Sequence, residues 1–118
     1  SPYDESKVDT DLPNEAVIAA VRAMSAAGYR IVYCSGRTAG CRPATEVWLA
    51  RHVGVPYDGL HMRACGDTRR DSVVKLEIFD REIRDKYRVL GVFDDRAQVV
   101  RAWRAIGLTV FQVAEGNF

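Results

Sequence analysis

The chain has 118 residues, a length that suits one domain with a single sizeable core and excludes two. It is 47% hydrophobic and 28% charged, as in an ordinary globular protein, and its net charge of +1 excludes nucleic-acid binding through the overall field alone. It contains no apolar run long enough to span a bilayer and no signal-peptide layout, so we expect a cytoplasmic protein without membrane contact.

Cysteine and histidine are scattered along the chain. Cys34, Cys41 and Cys65 are odd in number and lack Cys-x-x-Cys spacing, which argues against a disulfide framework and against a structural zinc site. His52 and His61 are isolated, and we interpret them as surface or core-edge residues rather than metal ligands.

The first elements follow a polar opening. Residues 1–11 lack apolar periodicity and are expected to form a loop. A helix is predicted next, with Asp11 as its N-cap, Pro13 in its first turn and Gly28 at its end. A buried strand is predicted over residues 30–34.

A stretch of small residues, Ser35-Gly36-Arg37-Thr38-Ala39-Gly40, follows this strand, and we interpret it as a loop. The Ser35 hydroxyl and the backbone of Gly36 can bind a phosphate there, while Arg37 supplies charge and bidentate hydrogen bonds. A plain strand-to-helix turn, with glycine for backbone freedom, also fits so short a string.

The middle of the chain is expected to contain a helix over residues 43–53, closed by Gly54, with Val47 and Trp48 on its inner face. Trp48 fits core or rim packing better than base stacking. A further strand is predicted over residues 60–64.

A loop of clustered charge then leads into the third helix. Arg69 and Arg70 are candidates for contact with a nucleic-acid backbone, although a solvated loop fits so few basic residues equally well. Asp71 is a good N-cap. Lys75 would then lie in the first turn, where its cation opposes the helix dipole unless an anion such as phosphate compensates. The simpler account is an i, i+4 pair between Asp71 and Lys75.

An apolar run over residues 89–93 ends abruptly in Asp94 and Asp95, and a helical pattern follows. This indicates a buried parallel strand whose carboxyl end carries both carboxylates, at the edge where ligands bind in open α/β sheets. Two oxygen donors suit Mg²⁺, which completes its shell with water and phosphate oxygens. In the alternative, one aspartate caps the following helix. A last strand is predicted over residues 108–113.

Strands alternating with helices predict an α/β domain with a mostly parallel sheet. The polar groups at its strand ends and at one adjacent helix start are expected to converge on one edge and to carry metal-assisted phosphate chemistry. In that chemistry a hydroxyl and backbone groups hold the phosphate, cations offset its charge, and paired carboxylates hold Mg²⁺. The polar groups are Ser35, Arg37, Asp71, Lys75, Asp94 and Asp95.

The order of these motifs resembles the haloacid dehalogenase superfamily of phosphotransferases, and within it the phosphatase domain of bacteriophage polynucleotide kinase/phosphatase. The matching strings are Pro2-Tyr3-Asp4, Asp9-Thr10-Asp11, Ser35-Gly36-Arg37, Gly66-Asp67-Thr68-Arg69, Asp71, Val73-Val74-Lys75, Glu77-Ile78-Phe79, Asp94-Asp95-Arg96, Gln98-Val99-Val100, Trp103-Arg104, Ile106-Gly107 and Gln112-Val113-Ala114. The resemblance implies one Rossmann-like domain over residues 1–118, with helices on both faces of the sheet. It also implies a Mg²⁺-dependent polynucleotide 3′-phosphatase that heals DNA or RNA ends through an aspartyl-phosphate.

The resemblance also assigns roles to residues. Ser35 and the Gly36 backbone would contact the transferring phosphate, and Lys75 would neutralise its charge. Asp94 and Asp95 would hold Mg²⁺. Arg37 and Asp71, two further shared positions, would pair with one another or shape the substrate side.

One motif of that family does not occur in these residues: a strand ending Asp-x-Asp-Gly-Thr, which supplies the nucleophile and the general acid–base. Its strand would lie at the centre of the sheet, and losing it would leave two ladders unpaired, so we expect the sequence to begin after it. No Gly-x-x-x-x-Gly-Lys-[Ser/Thr] phosphate loop is present either, so no kinase is encoded in these residues. An upstream kinase domain and a homo-oligomer are both compatible with the sequence.

Two other functions stay open at this point. The chain fits a phosphatase of the same superfamily that acts on a small metabolite. It also fits a non-catalytic domain that binds phosphorylated nucleic-acid ends.

Overall fold

The computed structural model describes residues 14–117, which form helices and parallel strands in alternation. The helices are α1 (Glu15–Ala26), α2 (Arg42–His52), α3 (Asp71–Ile78) and α4 (Ala97–Ala105), with a 3-10 turn at Ala39–Cys41 and a π-helical turn at Phe79–Ile83. The strands are β1 (Val32–Thr38), β2 (Gly59–Arg63), β3 (Val92–Asp94) and β4 (Val110–Gln112). Among these residues, no helix has the length and apolarity needed to cross a membrane.

The chain divides between Asp67 and Thr68 into two compact units, called here the first and the second unit. The first unit contains the parallel pair β1–β2, and the second contains the parallel pair β3–β4. The predicted mixed α/β class with parallel strands is therefore confirmed. One continuous Rossmann-like sheet and the single-domain organisation stay predictions.

Helix α1 begins at a different cap from the predicted one. The Asn14 side chain accepts a hydrogen bond from the Val17 amide at 3.2 Å, which satisfies one of the free N–H groups of the first turn. The expected cap Asp11, Pro13 and the opening loop lie outside the described residues. Gly28 follows the helix with φ +95°, as expected for a residue that stops a helix.

Strand β1 continues beyond the predicted end at residue 34. Ser35, Gly36, Arg37 and Thr38 belong to the strand, so their assignment to a loop was wrong. The ladder pairs Ser35 with Met62 and then Thr38 with Arg63, which leaves two β1 residues without an opposing residue. Such a bulge breaks the alternation of side chains that sequence patterns detect, and the glycine within it reads as a loop signal.

Helix α2 turns a different face inward from the predicted one. Leu49 and Val53 are buried in the first unit's core, whereas Val47 is 54% exposed. Residues 47 and 49 point about 200° apart around a helix, so only one of the two can face the core. The predicted inner position of Val47 was therefore wrong, while Trp48 does pack against the core and its ring lies 4.8 Å from that of His52.

The second unit is built around α3, its π-helical continuation, and α4. Its buried apolar residues are Val74, Ile78, Phe79, Ile83, Val99, Val100, Trp103 and Val110. Phe79 meets Trp103 edge to face, with ring centroids 5.8 Å apart. Strands β3 and β4 are shorter than predicted because residues 89–91 and 108–109 make no regular ladder with each other.

The β3–β4 pair carries two stacked aromatic rings. Phe93 and Phe111 face each other across the ladder with centroids 5.1 Å apart. A Cβ atom placed on Gly91, just before β3, would lie 3.0 Å from Cε2 of Phe111. Glycine therefore leaves the space into which the Phe111 ring packs.

Candidate active site

The second unit contains a lysine held between two carboxylates. Lys75, on α3, places Nζ 3.2 Å from Oδ2 of Asp94 and 3.4 Å from Oδ2 of Asp71. Its side chain is 11% exposed, and those of the two aspartates are 8% and 6% exposed. Asp71 precedes Lys75 by one helical turn, so the predicted i, i+4 pair is confirmed. Asp94 comes from the end of β3, so the site joins a strand end to a helix.

Asp94 is held by further donors. The indole Nε1 of Trp103 donates to Asp94 Oδ2 at 3.3 Å, and the Arg96 amide donates to Oδ1 at 3.2 Å. A buried carboxylate needs such partners because burial removes its water shell. Trp103 was not among the predicted site residues. Its signal was the polar N–H of a tryptophan on the buried stripe of α4, which must find an acceptor.

Arg96 was also missed. Its Nη1 lies 3.4 Å from Oδ2 of Asp71, and its side chain is 14% exposed. Asp71, Lys75, Asp94 and Arg96 thus form one largely buried set of two acids and two bases, called here the ionic cluster. Removing one partner of such a buried pair leaves an uncompensated charge and typically costs about 3–5 kcal/mol.

The start of α3 differs from the predicted one. Helix α3 begins at Asp71, and Arg70, with φ −56° and ψ 146°, is the N-cap residue without a side-chain cap bond. The prediction that Asp71 caps the helix was therefore wrong. Asp71 lies in the first turn, where an anion is favourable, and Lys75 lies beyond that turn. The predicted conflict between Lys75 and the helix dipole does not arise, because its charge is balanced by carboxylates.

Asp95 differs sharply from Asp94. It follows β3 and is exposed, and the part of the chain that the structure describes gives its carboxylate no hydrogen bond or ion pair. Neither aspartate caps α4, whose N-cap is Arg96. The alternative in which one aspartate serves as a helix cap is therefore wrong, and the Asp95 carboxylate is directed to solvent.

The donor set at this strand end fits an open magnesium site, in which the protein supplies only part of the coordination shell. Within residues 14–117 no group of three or more His, Cys, Asp or Glu side chains could enclose a metal, so no closed protein cage is offered there. Mg²⁺ needs only one or two carboxylates, with water and phosphate oxygens completing its shell. Asp95 is exposed and could supply one such carboxylate, whereas Asp94, adjacent in sequence, already accepts from Lys75 and Trp103.

The first unit contains the predicted phosphate-binding residues in the β1 bulge. Ser35, Gly36 and Arg37 are all partly buried. The Ser35 hydroxyl oxygen accepts a hydrogen bond from the Arg37 amide at 3.1 Å, which closes a local turn. The hydroxyl proton is left to donate to a ligand. These residues have the chemistry expected of a phosphate site, and their role stays a prediction.

The buried side chain behind this bulge, Arg63, was not among the predicted site residues. It is 1% exposed, and its Nε donates to the Gly36 carbonyl at 2.8 Å. In the sequence, an arginine at the end of a strand pattern is expected to be exposed. Only the unpaired carbonyl of a bulge could have indicated a buried arginine, and the bulge was not predicted.

The two arginines proposed to contact nucleic acid have different surroundings. Arg69 makes two hydrogen bonds with the Glu77 carboxylate, and both side chains are about half exposed. Arg70 is exposed at the start of α3. Their contact with a nucleic-acid backbone stays a prediction.

The predicted convergence of the first unit's residues with those of the second stays a prediction, as does a pair between Arg37 and Asp71. Asp71 does make ion pairs with Lys75 and Arg96. Within the described part of the chain no disulfide joins the cysteines, of which Cys41 is buried and Cys65 exposed.

The described residues thus form an α/β protein of parallel strands, with acidic residues at a strand end and a buried lysine beside them. Comparison with known families then identifies the chain. All of residues 1–118 match the model of the polynucleotide kinase PNKP phosphatase domain. The chain belongs to this family, which is of the haloacid dehalogenase type, and the resemblance stated from the sequence is confirmed.

Individual relatives agree with this assignment. The chain is 42% identical over 84 residues to a putative bifunctional polynucleotide kinase/RNA ligase of Autographa californica nuclear polyhedrosis virus, a match that covers 70% of the chain and 12% of the relative. Two solved structures, titled the Pnkp1/Rnl/Hen1 complex and the Pnkp1/Rnl/Hen1 RNA repair complex, superpose with TM-scores of 0.95 and 0.94 at 40% identity. All of this chain is covered, against 40% and 38% of those chains, so it spans less than half the length of each.

Proposed function

We propose that this chain is the phosphatase part of a polynucleotide 3′-phosphatase, which hydrolyses 3′-phosphate ends of DNA or RNA in a Mg²⁺-dependent reaction. The observation that carries the proposal is the placement of Lys75 between Asp71 and Asp94, beside an exposed Asp95 at the end of β3. The family match over the whole chain supports the same assignment and supports a Rossmann-like, mostly parallel sheet with helices on both faces.

In the second unit, the buried residues and the exposed Asp95 would have different roles. Lys75 is oriented by its two carboxylate partners and would neutralise charge on the phosphate and on the attacking group. Asp95, with Asp94 next to it, would hold Mg²⁺, which supplies charge compensation and a template for phosphate oxygens when it is bound. Asp71 and Arg96 keep the cluster balanced and fix the direction of the Lys75 side chain.

The residues of the first unit would bind the phosphate. Ser35 can donate its hydroxyl proton, the Gly36 backbone lies in the bulge, and Arg37 offers a guanidinium that suits phosphate geometry. Arg69 and Arg70 would contact the backbone of the nucleic acid beyond the terminal phosphate.

The covalent step needs a group that these 118 residues do not contain. No Asp-x-Asp-Gly-Thr string occurs in the sequence, and we propose that such a segment of the natural protein supplies the aspartate that takes the phosphoryl group and the second aspartate that protonates the leaving 3′-oxygen. Water then attacks the phosphorus of the aspartyl-phosphate, which releases inorganic phosphate and restores the carboxylate.

The named relatives support nucleic-acid repair as the setting. One is described as a polynucleotide kinase/RNA ligase and another as part of an RNA repair complex. We propose that this phosphatase likewise works on broken ends beside a kinase domain, with RNA termini as its first candidate substrate.

The test is phosphate release from a 3′-phosphorylated oligonucleotide by the protein with its complete natural N-terminus, with and without Mg²⁺. Lys75→Met should abolish release, because the cation that compensates phosphate is lost. Lys86→Met is the matched control, since Lys86 is exposed and paired with Glu82 in an ordinary surface ion pair. Both variants should be checked for folding by circular dichroism.

Three outcomes would contradict the proposal. Release from nucleotides but not from 3′-phosphorylated oligonucleotides would indicate a small-metabolite phosphatase. Binding without turnover by the natural protein would indicate a phosphorylated-end binding domain. Full activity of Lys75→Met would show that the ionic cluster takes no part in the reaction.

A further inference from the structure

Arg63 is the most deeply buried charged residue in the described part of the chain. It ends β2, and 1% of its surface is exposed. Burying a guanidinium costs free energy unless its N–H groups are hydrogen-bonded, and an apolar residue of similar volume often fills such a space at no loss of stability. The contacts made by its N–H groups therefore indicate what the arginine contributes.

The first of these contacts lies in the β1 bulge. The β1–β2 ladder passes directly from the Ser35–Met62 pair to the Thr38–Arg63 pair, so Gly36 has no opposing residue on β2. The Gly36 carbonyl accepts a hydrogen bond from Nε of Arg63 at 2.8 Å. The side chain thus provides the donor that a regular ladder would have provided.

The second contact lies in the loop after β2. Nη1 of Arg63 donates to the Asp67 carbonyl at 3.1 Å. One rigid guanidinium therefore holds two backbone segments at once, the bulge that contains Ser35 and Gly36 and the loop that precedes Arg69. A lysine would keep the charge but lacks the planar fork needed for two directed hydrogen bonds.

We propose that Arg63 is a positioning residue that fixes the β1 bulge in the conformation in which Ser35 and Gly36 receive the phosphate. This inference rests on the proposed phosphatase function for its catalytic consequence. Arg63 acts through the Gly36 carbonyl, which accepts the hydrogen bond from its Nε.

The experiment compares Arg63→Lys and Arg63→Met in the natural full-length protein, with Met62→Leu as the matched control. Met62 is the neighbouring buried residue on β2, and its conservative change perturbs the core alone. Amide hydrogen exchange is measured for residues 36–38 and, as an internal reference, for α2, where the Val53 amide donates to Leu49. Turnover of a 3′-phosphorylated oligonucleotide gives kcat and KM.

The expected result is local. Both Arg63 variants should speed exchange in residues 36–38 at least about tenfold while α2 keeps its wild-type protection, because the hydrogen bonds that hold Gly36 and Asp67 are lost with the guanidinium. A misplaced phosphate site should lower kcat by about 100-fold with a smaller change in KM. Met62→Leu should match the wild type in both measurements.

Two results would overturn the proposal: unchanged exchange and kcat in both variants, or exchange that rises equally in α2, which would make Arg63 a residue of general stability only. Arg63→Lys keeps the charge and provides a second variant if Arg63→Met does not fold. If the wild-type protein releases no phosphate, the proposed function fails, while the exchange pattern still decides whether Arg63 fixes the bulge.

Discussion

Trp103 and Asp94 are joined by a hydrogen bond from the indole Nε1 to the carboxylate Oδ2 atom, 3.3 Å long. The same oxygen faces Lys75 Nζ at 3.2 Å. A buried helix residue and a site lysine thus fix one oxygen of the strand-end aspartate from two directions. Trp103 is 3% exposed, so this hydrogen bond is shielded from water.

Trp103→Phe is expected to lower the free energy of unfolding by about 1–3 kcal/mol. The change keeps an aromatic ring against Phe79 but removes a donor to a charged acceptor, together with part of the buried ring area. Urea unfolding measures the loss. Trp48→Phe is the control, because Trp48 lies at the partly buried edge of the first unit's core. An equal loss of unfolding free energy at both positions would show that the hydrogen bond to Asp94 adds no stability of its own.

Asp94→Asn should mainly lower the stability of the fold, whereas Asp95→Asn should mainly weaken the binding of Mg²⁺. Asp94→Asn removes a charge from the buried ionic cluster and should cost about 3–5 kcal/mol of stability. Asp95→Asn changes an exposed group and should stay within about 0.5 kcal/mol of the wild type. Calorimetric titration with Mg²⁺ should show weakened binding for Asp95→Asn. Unchanged Mg²⁺ affinity there would place the metal elsewhere.

Arg70→Ala should weaken binding of a single-stranded oligonucleotide and reduce the salt slope of log K by about 0.7, the value for one phosphate contact. Arg69→Ala should reduce the slope less, because the Glu77 carboxylate already competes for that guanidinium. Arg101→Ala, a charge-matched change on α4, serves as the control. Equal slopes for all three variants would indicate only the overall charge and no specific contact.

Tyr33→Phe is expected to leave stability unchanged or to raise it by about 1 kcal/mol at neutral pH, because the buried Tyr33 hydroxyl has no hydrogen-bond partner among the described residues. Burial, and secondarily the neighbouring Tyr57, raise the pKa of Tyr33 above its ordinary value of 10.0. The folded state then holds the phenol proton at a pH where the unfolded state releases it. Stability should therefore fall as the pH rises above about 10.

Thermal unfolding between pH 8 and pH 11 tests this expectation. The wild type should lose more stability than Tyr33→Phe in the alkaline part of that range. Tyr29→Phe is the control, because Tyr29 is 47% exposed. Parallel curves for Tyr33→Phe and the wild type would contradict a buried, protonated Tyr33.

The sequence predicted those parts of the fold that follow simple periodicity. The apolar run before Asp94 and the helical pattern after it correspond to β3 and α4, and Lys75 pairs with Asp71 as its spacing indicated. These features depend on local spacing alone, so one sequence is enough to find them.

Features that depend on tertiary pairing were not predictable in the same way. The bulge at Gly36 reads as a loop because its pairing with β2 is invisible in the sequence, and Arg63 therefore reads as an exposed strand end. Trp103 and Arg96 likewise acquire their roles only from the packing of α4 beside the ionic cluster. The role of a buried polar group depends on partners that are far away in the chain.

The space beside Gly91 has a consequence for how this family varies. Alanine at position 91 would press on the Phe111 ring, which is stacked on Phe93 and would have to shift by a few tenths of an ångström, since 3.0 Å is tighter than most Cβ contacts. A larger residue at position 91 is therefore tolerated best where position 111 is small. These two positions should change together among homologues, although 20 residues separate them in the chain.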